Sequence, residues 1–571
     1  MPRGGDGHRV DLRVLLLSAD GEEPAFRAWE AALEREGVPY DAIVARRGHP
    51  PIDTRTLAVG PAHARYQAVI VAVGGLPALD GGRYVSVLTA DEWAALAGFE
   101  REFGIRRITA FAYPSALTGH SAPASSGVVG ELSGTLTPAG REVFAGLRGD
   151  VPLDPNAYGH LAEPAGDRFT TLVAGPQGGA LVGVHAHPDG REEMVCTVDG
   201  NAGMIHVQLL RHGMLRWVTR GVFLGQERHY LGLQVDDVFL SDDSWDPAAA
   251  RTVPGEIRMR PADVEAAVRW SRARGVRLDL GFNGHGAQPA DELSAALLAH
   301  APDFGWINHT FGHADFDAVD AATMHAEIAG NIAFAAAAGL PIDAGELVTG
   351  GHSGLRNADL PGVLAQTGVR WIATDNSHDP VQRRIGPART VPRHPTNVYF
   401  NVCERAAQLD EYEHLSAIRA AVVPIGATRI KPAATTTWAR FVELEARTML
   451  DHVLGNDPRP HYLHQSNLAG DRMLFDLVDE VLRRHRELFT VELVQPSLAD
   501  AGAELARRAA WQDALHDRCV TAYVRGGRLH LSSTEPVQIP VTGGAAAAEH
   551  EPSTWTELIG PLDGHVVCAL A

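Results

Sequence analysis

The feature that most constrains the fold is a regular alternation of short apolar runs and amphipathic helical segments between residues 229 and 496. Helices are expected at 261–274, 290–300, 321–338, 359–367, 438–454 and 471–486. Buried parallel strands are expected at 230–239, 276–283, 305–310, 346–350, 369–374, 397–402 and 460–464. Roughly six or seven strand–helix units in about 260 residues predict a complete or nearly complete (β/α) barrel.

The first part of the chain shows the same alternation on a smaller scale. Helical segments at 24–37 and 91–104 are interleaved with apolar runs at 12–19, 40–45, 66–75 and 105–113. This order predicts a doubly wound α/β domain over residues 1–115. The pattern resembles the flavodoxin-like fold of amidotransferases, which use a nucleophilic cysteine. Residues 1–195 contain no cysteine, so the fold is expected without that chemistry.

Two further regions have the sequence pattern of antiparallel β structure. Short strand-like segments separated by Gly, Pro and Asp predict a β-rich module over residues 116–228. Such a module is compatible with carbohydrate binding and equally with an interdomain spacer. A small C-terminal β region is expected over 497–571. The chain is therefore predicted to be an α/β multidomain protein, with a (β/α) barrel preceded by an α/β unit and a β-rich module.

Charge and composition exclude some classes of partner. The chain has 50 Lys and Arg against 70 Asp and Glu, a formal charge of −20, whereas nucleic acids and anionic membranes bind basic surfaces. No apolar run reaches the length of a transmembrane segment, and the N-terminal residues lack the apolar core of a signal peptide. The 27 histidines outnumber the four cysteines, which form no Cys-x-x-Cys pair. Any metal is therefore expected to be held by imidazole and carboxylate.

Polar residues collect at the C-terminal ends of the predicted barrel strands, where a (β/α) barrel places its active site. Asp236 and Asp237 end the first strand. Two adjacent carboxylates are costly to bury, and a divalent cation would offset this by binding one and leaving the other as a base. His309 and His313 follow the third strand, and their spacing places both imidazoles on one side of a tight turn. Two solvated loop acids and an unrelated histidine pair are the structural alternative.

The pair Asp236-Asp237, followed by His309-Thr-x-x-His313, resembles the first two motifs of the polysaccharide deacetylase (NodB-homology) families. The resemblance implies that Asp236 is the general base. It also implies that Asp237, His309 and His313 are the ligands of a divalent metal, with zinc as the first candidate.

A later segment, Tyr462-Leu-His464, resembles the Leu-x-His motif that supplies the general acid in those families. Tyr462 stands where the usual motif has Leu. His464 is therefore the candidate acid, and the neighbouring His461 is its rival.

The middle motifs depart from the family pattern. Where those families carry Arg-x-Pro-Tyr, this chain has the segment 350–357, in which Arg356 is the candidate to orient the base aspartate. Asp375, after the fifth strand, is the candidate to hold the acid histidine.

These variants, with Phe282-Asn-Gly-His-Gly286 and Arg393-His-Pro-Thr-Asn397, resemble a divergent deacetylase group. The group includes fungal galactosaminogalactan deacetylases of the Agd type (carbohydrate esterase family 18), in which the β-rich region before the barrel includes a carbohydrate-binding module. Tyr462, Trp245 and Asn283 are the expected substrate-binding residues.

The resemblance implies a metal-dependent deacetylase that releases acetate from N-acetylated amino sugars. The metal would activate water and polarise the acetyl carbonyl, Asp236 would take the water proton, and His464 would protonate the leaving amine. The implied partner is a polysaccharide or oligosaccharide containing N-acetylhexosamine, with no nucleic acid involved. Such a substrate implies a secreted or cell-surface protein, and the absence of a visible signal peptide keeps the cytoplasm as the alternative.

Three other functions remain open from the sequence. The same residues could hydrolyse another ester or amide with a metal. The barrel could be an inactive carbohydrate-binding protein, although the presence of both aspartates and both histidines argues against that. A glycoside hydrolase would use paired carboxylates on different strands and no metal.

Overall fold

The computed structural model describes residues 7–47, 49–288, 290–422, 436–543, 554–558 and 566–569. Within these ranges, seven parallel strands close into a barrel in chain order, so that the seventh pairs with the first. The seven are Leu233–Asp236, Asp279–Phe282, Gly305–Asn308, Glu346–Leu347, Trp371–Asp375, Ala388–Pro395 and His461–His464. The predicted (β/α) barrel is confirmed.

The sixth barrel strand differs from the prediction. The sequence favoured 397–402, but that segment is irregular and the strand is Ala388–Pro395. Pro392 would ordinarily argue against a central strand, because proline cannot donate to the ladder. Here the strand pairs with the seventh strand only at its last two residues, His394 and Pro395. Pro392 precedes that stretch, so the N–H that it lacks costs the pairing with the seventh strand no hydrogen bond.

Helices cover the outside of the barrel. The helix Met473–Leu488 buries Leu474, Leu477, Val478 and Val481, the spacing of a single helical face. The others around the barrel, within the described ranges, are Pro261–Arg274, Glu292–Ala299, Ala321–Ala337, Leu360–Thr367, Arg405–Val422 and Trp438–Leu454. None of the described helices combines the length and apolar character that crossing a bilayer requires.

The N-terminal part is built on one mixed sheet rather than on two separate units. Within the described residues the sheet has nine strands, in the spatial order Asp150–Pro152, Ser133–Leu136, Phe169–Ala174, Ala180–Ala186, Glu192–Cys196, Arg106–Thr109, Ala68–Val71, Val14–Ser18 and Tyr40–Val44. The last five are parallel, and the first five form an antiparallel run. The boundary expected at residue 115 therefore falls inside a continuous sheet, because Glu192–Cys196 pairs directly with Arg106–Thr109.

Helices Pro24–Glu36, Ala90–Phe103 and Ile205–Val218 pack on this sheet. The first has Pro at its N-terminus and ends at Gly37, whose φ of 75° is the left-handed conformation that glycine adopts without strain. The last buries Leu209, Leu210 and Met214.

The C-terminal region packs against the barrel and pairs with strands from the N-terminal part of the chain. A helix that the sequence analysis did not anticipate, Leu498–His516, covers the N-terminal end of the barrel, where Leu498 and Ala501 pack against Ile307 and Val391. The strands expected near the end of the chain are present. Val520–Arg525 pairs with Arg9–Asp11, and Val537–Thr542 pairs with Phe223–Leu224. The region expected to be separate after residue 496 is thus part of the structure around it.

Candidate active site

Three metal-ligand side chains converge at the C-terminal end of the barrel. Asp237 directly follows the first strand, and His309 and His313 follow the third. Oδ1 of Asp237 lies 3.1 Å from Nε2 of His309 and 3.5 Å from Nε2 of His313. Ligand atoms about 2.0–2.1 Å from a tetrahedral zinc are roughly 3.3 Å apart. The separations therefore fit three ligands that share one ion.

The backbone is bent at each point where it presents these side chains. Asp237, Thr310 and His313 have φ values of 63°, 62° and 61°. Non-glycine residues seldom adopt this left-handed conformation, which costs free energy and concentrates at functional sites. At Asp237 the bend comes immediately after the strand, so Asp236 and Asp237 face different parts of the site.

The hydrogen bonding of His309 leaves one nitrogen for a cation. Its Nδ1 lies 3.0 Å from the carbonyl oxygen of Val348, an arrangement that keeps a proton on Nδ1 and directs Nε2 toward Asp237. Among the described residues, neither Nε2 of His309 nor Oδ1 of Asp237 has a hydrogen bond of good geometry, although both are buried. Unsatisfied buried polar atoms are costly, and a shared cation would satisfy both.

The electrostatics of the pocket also favour a cation. Burial lowers the pKa of His309, but the carboxylates of Asp237 and Asp236 outweigh burial and raise it to about 9. Burial raises the pKa of Asp237, yet the facing His309 and His464 hold it well below its usual range. Both aspartates therefore remain ionised next to one another.

Asp236 is held by Arg393, on the sixth strand. The guanidinium donates two parallel hydrogen bonds to the carboxylate, of 2.9 Å to Oδ1 and 2.7 Å to Oδ2. Arg393 is fully buried and Asp236 is 3% exposed, so each charge depends on the other for compensation. Burial raises the pKa of Asp236, but Arg393 outweighs it and holds the pKa well below its usual range.

Arg393 is itself fixed by a second layer of contacts. Its guanidinium donates to Nε2 of His352, 2.6 Å away, and lies 4.4 Å above the ring of Tyr462. Burial and the guanidinium lower the pKa of His352 to about 3, which keeps this imidazole a neutral acceptor. The Tyr462 hydroxyl donates to Asp375 at 2.9 Å. The arginine therefore has little freedom to move away from Asp236.

His464 lies on the seventh strand, in register with Asp236 on the first. Its Nδ1 lies 3.3 Å from Oδ2 of Asp237 and 3.9 Å from Oδ1 of Asp242. Burial lowers the pKa of His464, but hydrogen bonding to Asp237 and the two carboxylate charges raise it overall. Burial raises the pKa of Asp242 to about 7, and the Gln465 amide donates to its Oδ2 at 2.7 Å.

Two of the expected positioning residues lie elsewhere. Arg356 is exposed and makes no contact with Asp236, and Arg393 occupies that position instead. Asp375 was expected to hold the acid histidine, but its carboxylate receives hydrogen bonds from Tyr462 and Ser377. The carboxylates near His464 belong to Asp237 and Asp242.

Of the three expected substrate-binding residues, two are buried in structural contacts and one is half-buried in the site. Trp245 is 9% exposed and its indole N–H donates to Asp410, so it packs inside rather than lining an open loop. Asn283 is fully buried, and its amide donates to the carbonyls of His309 and Thr310, which supports the histidine-bearing loop. Tyr462 is half-buried, and its ring lies against the Arg393 guanidinium that pairs with Asp236.

His461, the rival acid, points out of the site. Its Nε2 is 3.0 Å from Nδ1 of His452, and both rings pack near His394 between the barrel and its outer helix.

Three residues of the site were not predicted from the sequence: Arg393, His352 and Asp242. The motif containing Arg393 was visible, but without the sixth strand nothing placed it opposite Asp236. Asp242 begins the hairpin strand Asp242–Asp246 and is 7% exposed.

Comparison with known proteins gives matches in both halves of the chain. Residues 287–478 match the family model of the Agd3 deacetylase domain, and residues 10–137 match that of the Agd3 CBM87, a carbohydrate-binding module. The crystal structure of Agd3, described as a novel carbohydrate deacetylase, aligns with a TM-score of 0.82 over 99% of each chain at 17% identity. That likeness shows a shared fold over the whole chain.

Two further matches are more limited. A family 4 carbohydrate esterase from Streptomyces lividans, in complex with acetate, aligns with a TM-score of 0.25 at 13% identity, over 48% of this chain and 93% of that one. A bifunctional heparan sulfate N-deacetylase/N-sulfotransferase of Drosophila melanogaster is 29% identical over 156 residues. That match spans 26% of this chain and 13% of the relative.

The matched deacetylase domain contains the third to seventh barrel strands, with His309, His313, Arg393 and His464. The matched carbohydrate-binding module lies in the N-terminal sheet. The chain therefore carries a deacetylase domain and a carbohydrate-binding module that match those of the Agd3 type, within a fold similar to that of Agd3.

Proposed function

We propose that the protein is a divalent-metal-dependent deacetylase that removes acetyl groups from the N-acetylhexosamine residues of a polysaccharide. Asp237, His309 and His313 would hold the metal, and zinc suits a set of two imidazoles and one carboxylate. The observation that carries the proposal is the convergence of these ligands beside the ionised carboxylate of Asp236 and the imidazole of His464.

When bound, a divalent ion would lower the pKa of water from 15.7 toward about 7 and polarise the acetyl carbonyl. Asp236 then accepts the proton of the attacking water. The guanidinium of Arg393 keeps this carboxylate ionised and fixes its orientation through two hydrogen bonds. A base held in one orientation loses no rotational freedom during proton transfer.

His464 delivers a proton to the amine as the carbon–nitrogen bond breaks, so that the products are acetate and a free amino sugar. Asp242 and Asp237 hold the imidazole between them and stabilise its protonated form. The buried Gln465 amide keeps Asp242 in place. Asp236 thus accepts the proton of the water and His464 supplies the proton of the departing amine, the two transfers that the hydrolysis requires.

The substrate assignment rests on the domain combination. A carbohydrate-binding module in the same chain as a deacetylase domain fits a polymeric glycan, which the N-terminal sheet would hold near the barrel. Tyr462, which is half-buried and borders Arg393, is our candidate for an aromatic contact with the sugar. A polymeric glycan substrate also favours a site of action outside the cell or at its surface.

Acetate release tests the proposal. Purified protein would be assayed on oligosaccharides that carry N-acetyl or O-acetyl groups, before and after treatment with a chelator and after zinc is restored. We expect release from the N-acetylated substrates, loss with chelator and recovery with zinc. Release that chelator does not affect would refute metal dependence, and release only from O-acetylated sugars would refute the amide substrate. No release from any acetylated glycan would indicate a binding protein.

A further inference from the structure

A second group of metal-ligand side chains lies in the N-terminal sheet, far along the chain from the barrel. His185 and Glu193 stand directly opposite each other on the antiparallel strands Ala180–Ala186 and Glu192–Cys196. His187 follows His185 by two residues, and side chains two apart share a face of the sheet. One ring nitrogen of each histidine and one oxygen of Glu193 all lie within 4.8 Å of one another.

His185 supplies the most direct indication of a ligand. The ring is 7% exposed, and its Nδ1 atom is buried without a hydrogen-bond partner among the described residues. The backbone of Leu117 is the hydrogen-bond partner of this ring, so Nδ1 is the nitrogen that remains for a ligand. A buried nitrogen without a partner carries a free-energy cost that coordination would remove.

Glu193 is held as a metal-binding carboxylate usually is, with a second group on its outer oxygen. The hydroxyl of Thr109 donates to Oε1 of Glu193, while Oε2 faces Nε2 of His187 at 2.8 Å. Such outer hydrogen bonds orient ligating carboxylates toward a metal.

The positive charges nearby are already compensated. Arg107 pairs with Glu100 at 2.7 Å, and Arg191 pairs with Asp189 at 2.8 Å and with Glu100 at 3.1 Å. The carboxylate of Glu193 is therefore left available to the two imidazoles. His187 is only partly buried, so the group opens toward solvent on one side.

We propose that His185, His187 and Glu193 form a second divalent-cation site that is separate from the catalytic barrel. Two imidazoles and one carboxylate suit zinc, with water at the open position. The ion would link the end of one strand, the turn at 187–191 and the start of the next strand, and it would stabilise the sheet that contains the carbohydrate-binding module. Its presence does not depend on the proposed barrel metal.

The test measures zinc content and thermal stability of the full-length protein. The double variant Asp237→Ala/His309→Ala removes the barrel ligands, so any zinc that remains reports the second site. After loading with zinc and desalting, we expect this variant to retain about one zinc per chain. Adding His187→Gln to the double variant should abolish zinc retention, and so should adding Glu193→Gln instead. Zinc should raise the Tm of the double variant but not that of either triple variant.

His63→Gln, placed in the same double variant, is the matched control. His63 also pairs with a carboxylate, Asp11, at 2.9 Å, but it belongs to no three-residue ligand group among the described residues. Its substitution should leave zinc retention unchanged. A double variant that retains no zinc, or retention that neither His187→Gln nor Glu193→Gln reduces, would overturn the proposal. If only the barrel proposal fails, wild type retains one zinc and His187→Gln alone removes it.

Discussion

The pairing of Asp236 with Arg393 is the residue-level feature on which the proposed chemistry most depends. A buried carboxylate is stable there because a planar guanidinium meets both of its oxygens. Asp236→Asn keeps the size of the side chain but removes the base, and we expect kcat to fall by about 10²–10⁴. Zinc content should stay at the wild-type level, because Asp236 is not among the grouped ligand residues.

The control for this variant is Asp243→Asn, which changes an exposed acid close to the site in sequence. It should leave both kcat and zinc content unchanged. An Asp236→Asn enzyme with wild-type kcat would remove Asp236 from the mechanism, whereas lost zinc would make it a ligand.

Arg393→Lys tests the role of the guanidinium as a positioning group. Lysine retains the charge but cannot make two parallel hydrogen bonds. We expect kcat to fall by about 10–100-fold with little change in KM, because the orientation of the base is lost rather than the binding of the sugar. Steady-state kinetics on one N-acetylated oligosaccharide would measure this.

Arg356→Ala is the matched comparison, since Arg356 is exposed and makes no hydrogen bond or ion pair with Asp236 among the described residues. Equal losses of kcat in the two variants would contradict the assignment of Arg393. Arg393→Ala should also destabilise the fold by about 3–5 kcal/mol, because it leaves the Asp236 charge buried alone.

The two pairs could each be recognised in the sequence, because Asp236 and Asp237 are adjacent and His309 and His313 are four residues apart. Local spacing and the positions of two strands placed both pairs at strand ends, and the resemblance to the deacetylase motifs implied their roles. The partners of Asp236 and His464 depend on contacts between distant strands and a hairpin. Local patterns cannot supply such contacts, so Arg356 and Asp375 were assigned in place of Arg393 and Asp242.

At the scale of elements, periodicity predicted six of the seven barrel strands. The sixth, Ala388–Pro395, is polar and contains two prolines, so its composition resembles a loop more than a strand. It becomes a strand because the barrel must close between the fifth and seventh strands. Because the sixth strand was predicted at 397–402, Arg393 was not expected to lie in a barrel strand. Arg356 was therefore assigned as the partner of Asp236.

The helix Leu498–His516 closes the opposite end of the barrel through a buried carboxyl group. The Ala499 N–H donates to Oε1 of Glu346 at 2.6 Å. Burial raises the pKa of Glu346 to about 7, and the nearby Asp279 adds to the rise. An acid whose pKa is raised by folding binds more protons in the folded state, so its contribution to stability is lost as pH rises from the unfolded value of 4.5 through 7.

Glu346→Gln should therefore flatten the pH dependence of stability. The amide keeps an acceptor for Ala499 but cannot ionise, so the variant should gain about 1–3 kcal/mol relative to wild type on going from pH 5 to pH 8. Urea unfolding at the two pH values measures this. Asp317→Asn, which removes an exposed carboxylate, should leave the pH dependence as it is. Parallel curves for wild type and Glu346→Gln would show that Glu346 does not titrate in this range.

At the scale of the whole molecule, strand pairing joins residues from different members of the four predicted regions. The N-terminal strand Arg9–Asp11 pairs with Val520–Arg525, and Phe223–Leu224 pairs with Val537–Thr542. One buried apolar cluster also runs from Leu16 in the N-terminal sheet to Leu477 on the barrel. Such pairings join residues hundreds of positions apart, and no local pattern in the sequence specifies them.

Trp511 is the single side chain that best tests this coupling. It is 1% exposed, its indole N–H donates to the Gly37 carbonyl at 2.7 Å, and it packs with Leu12, Leu224 and Leu529. Trp511→Ala should cost about 3–5 kcal/mol and increase amide hydrogen exchange in the helix Pro24–Glu36 as well as in its own helix. The exposed Asp513→Ala should change neither. Faster exchange confined to residues 498–516 would mean that the C-terminal region and the N-terminal sheet unfold independently.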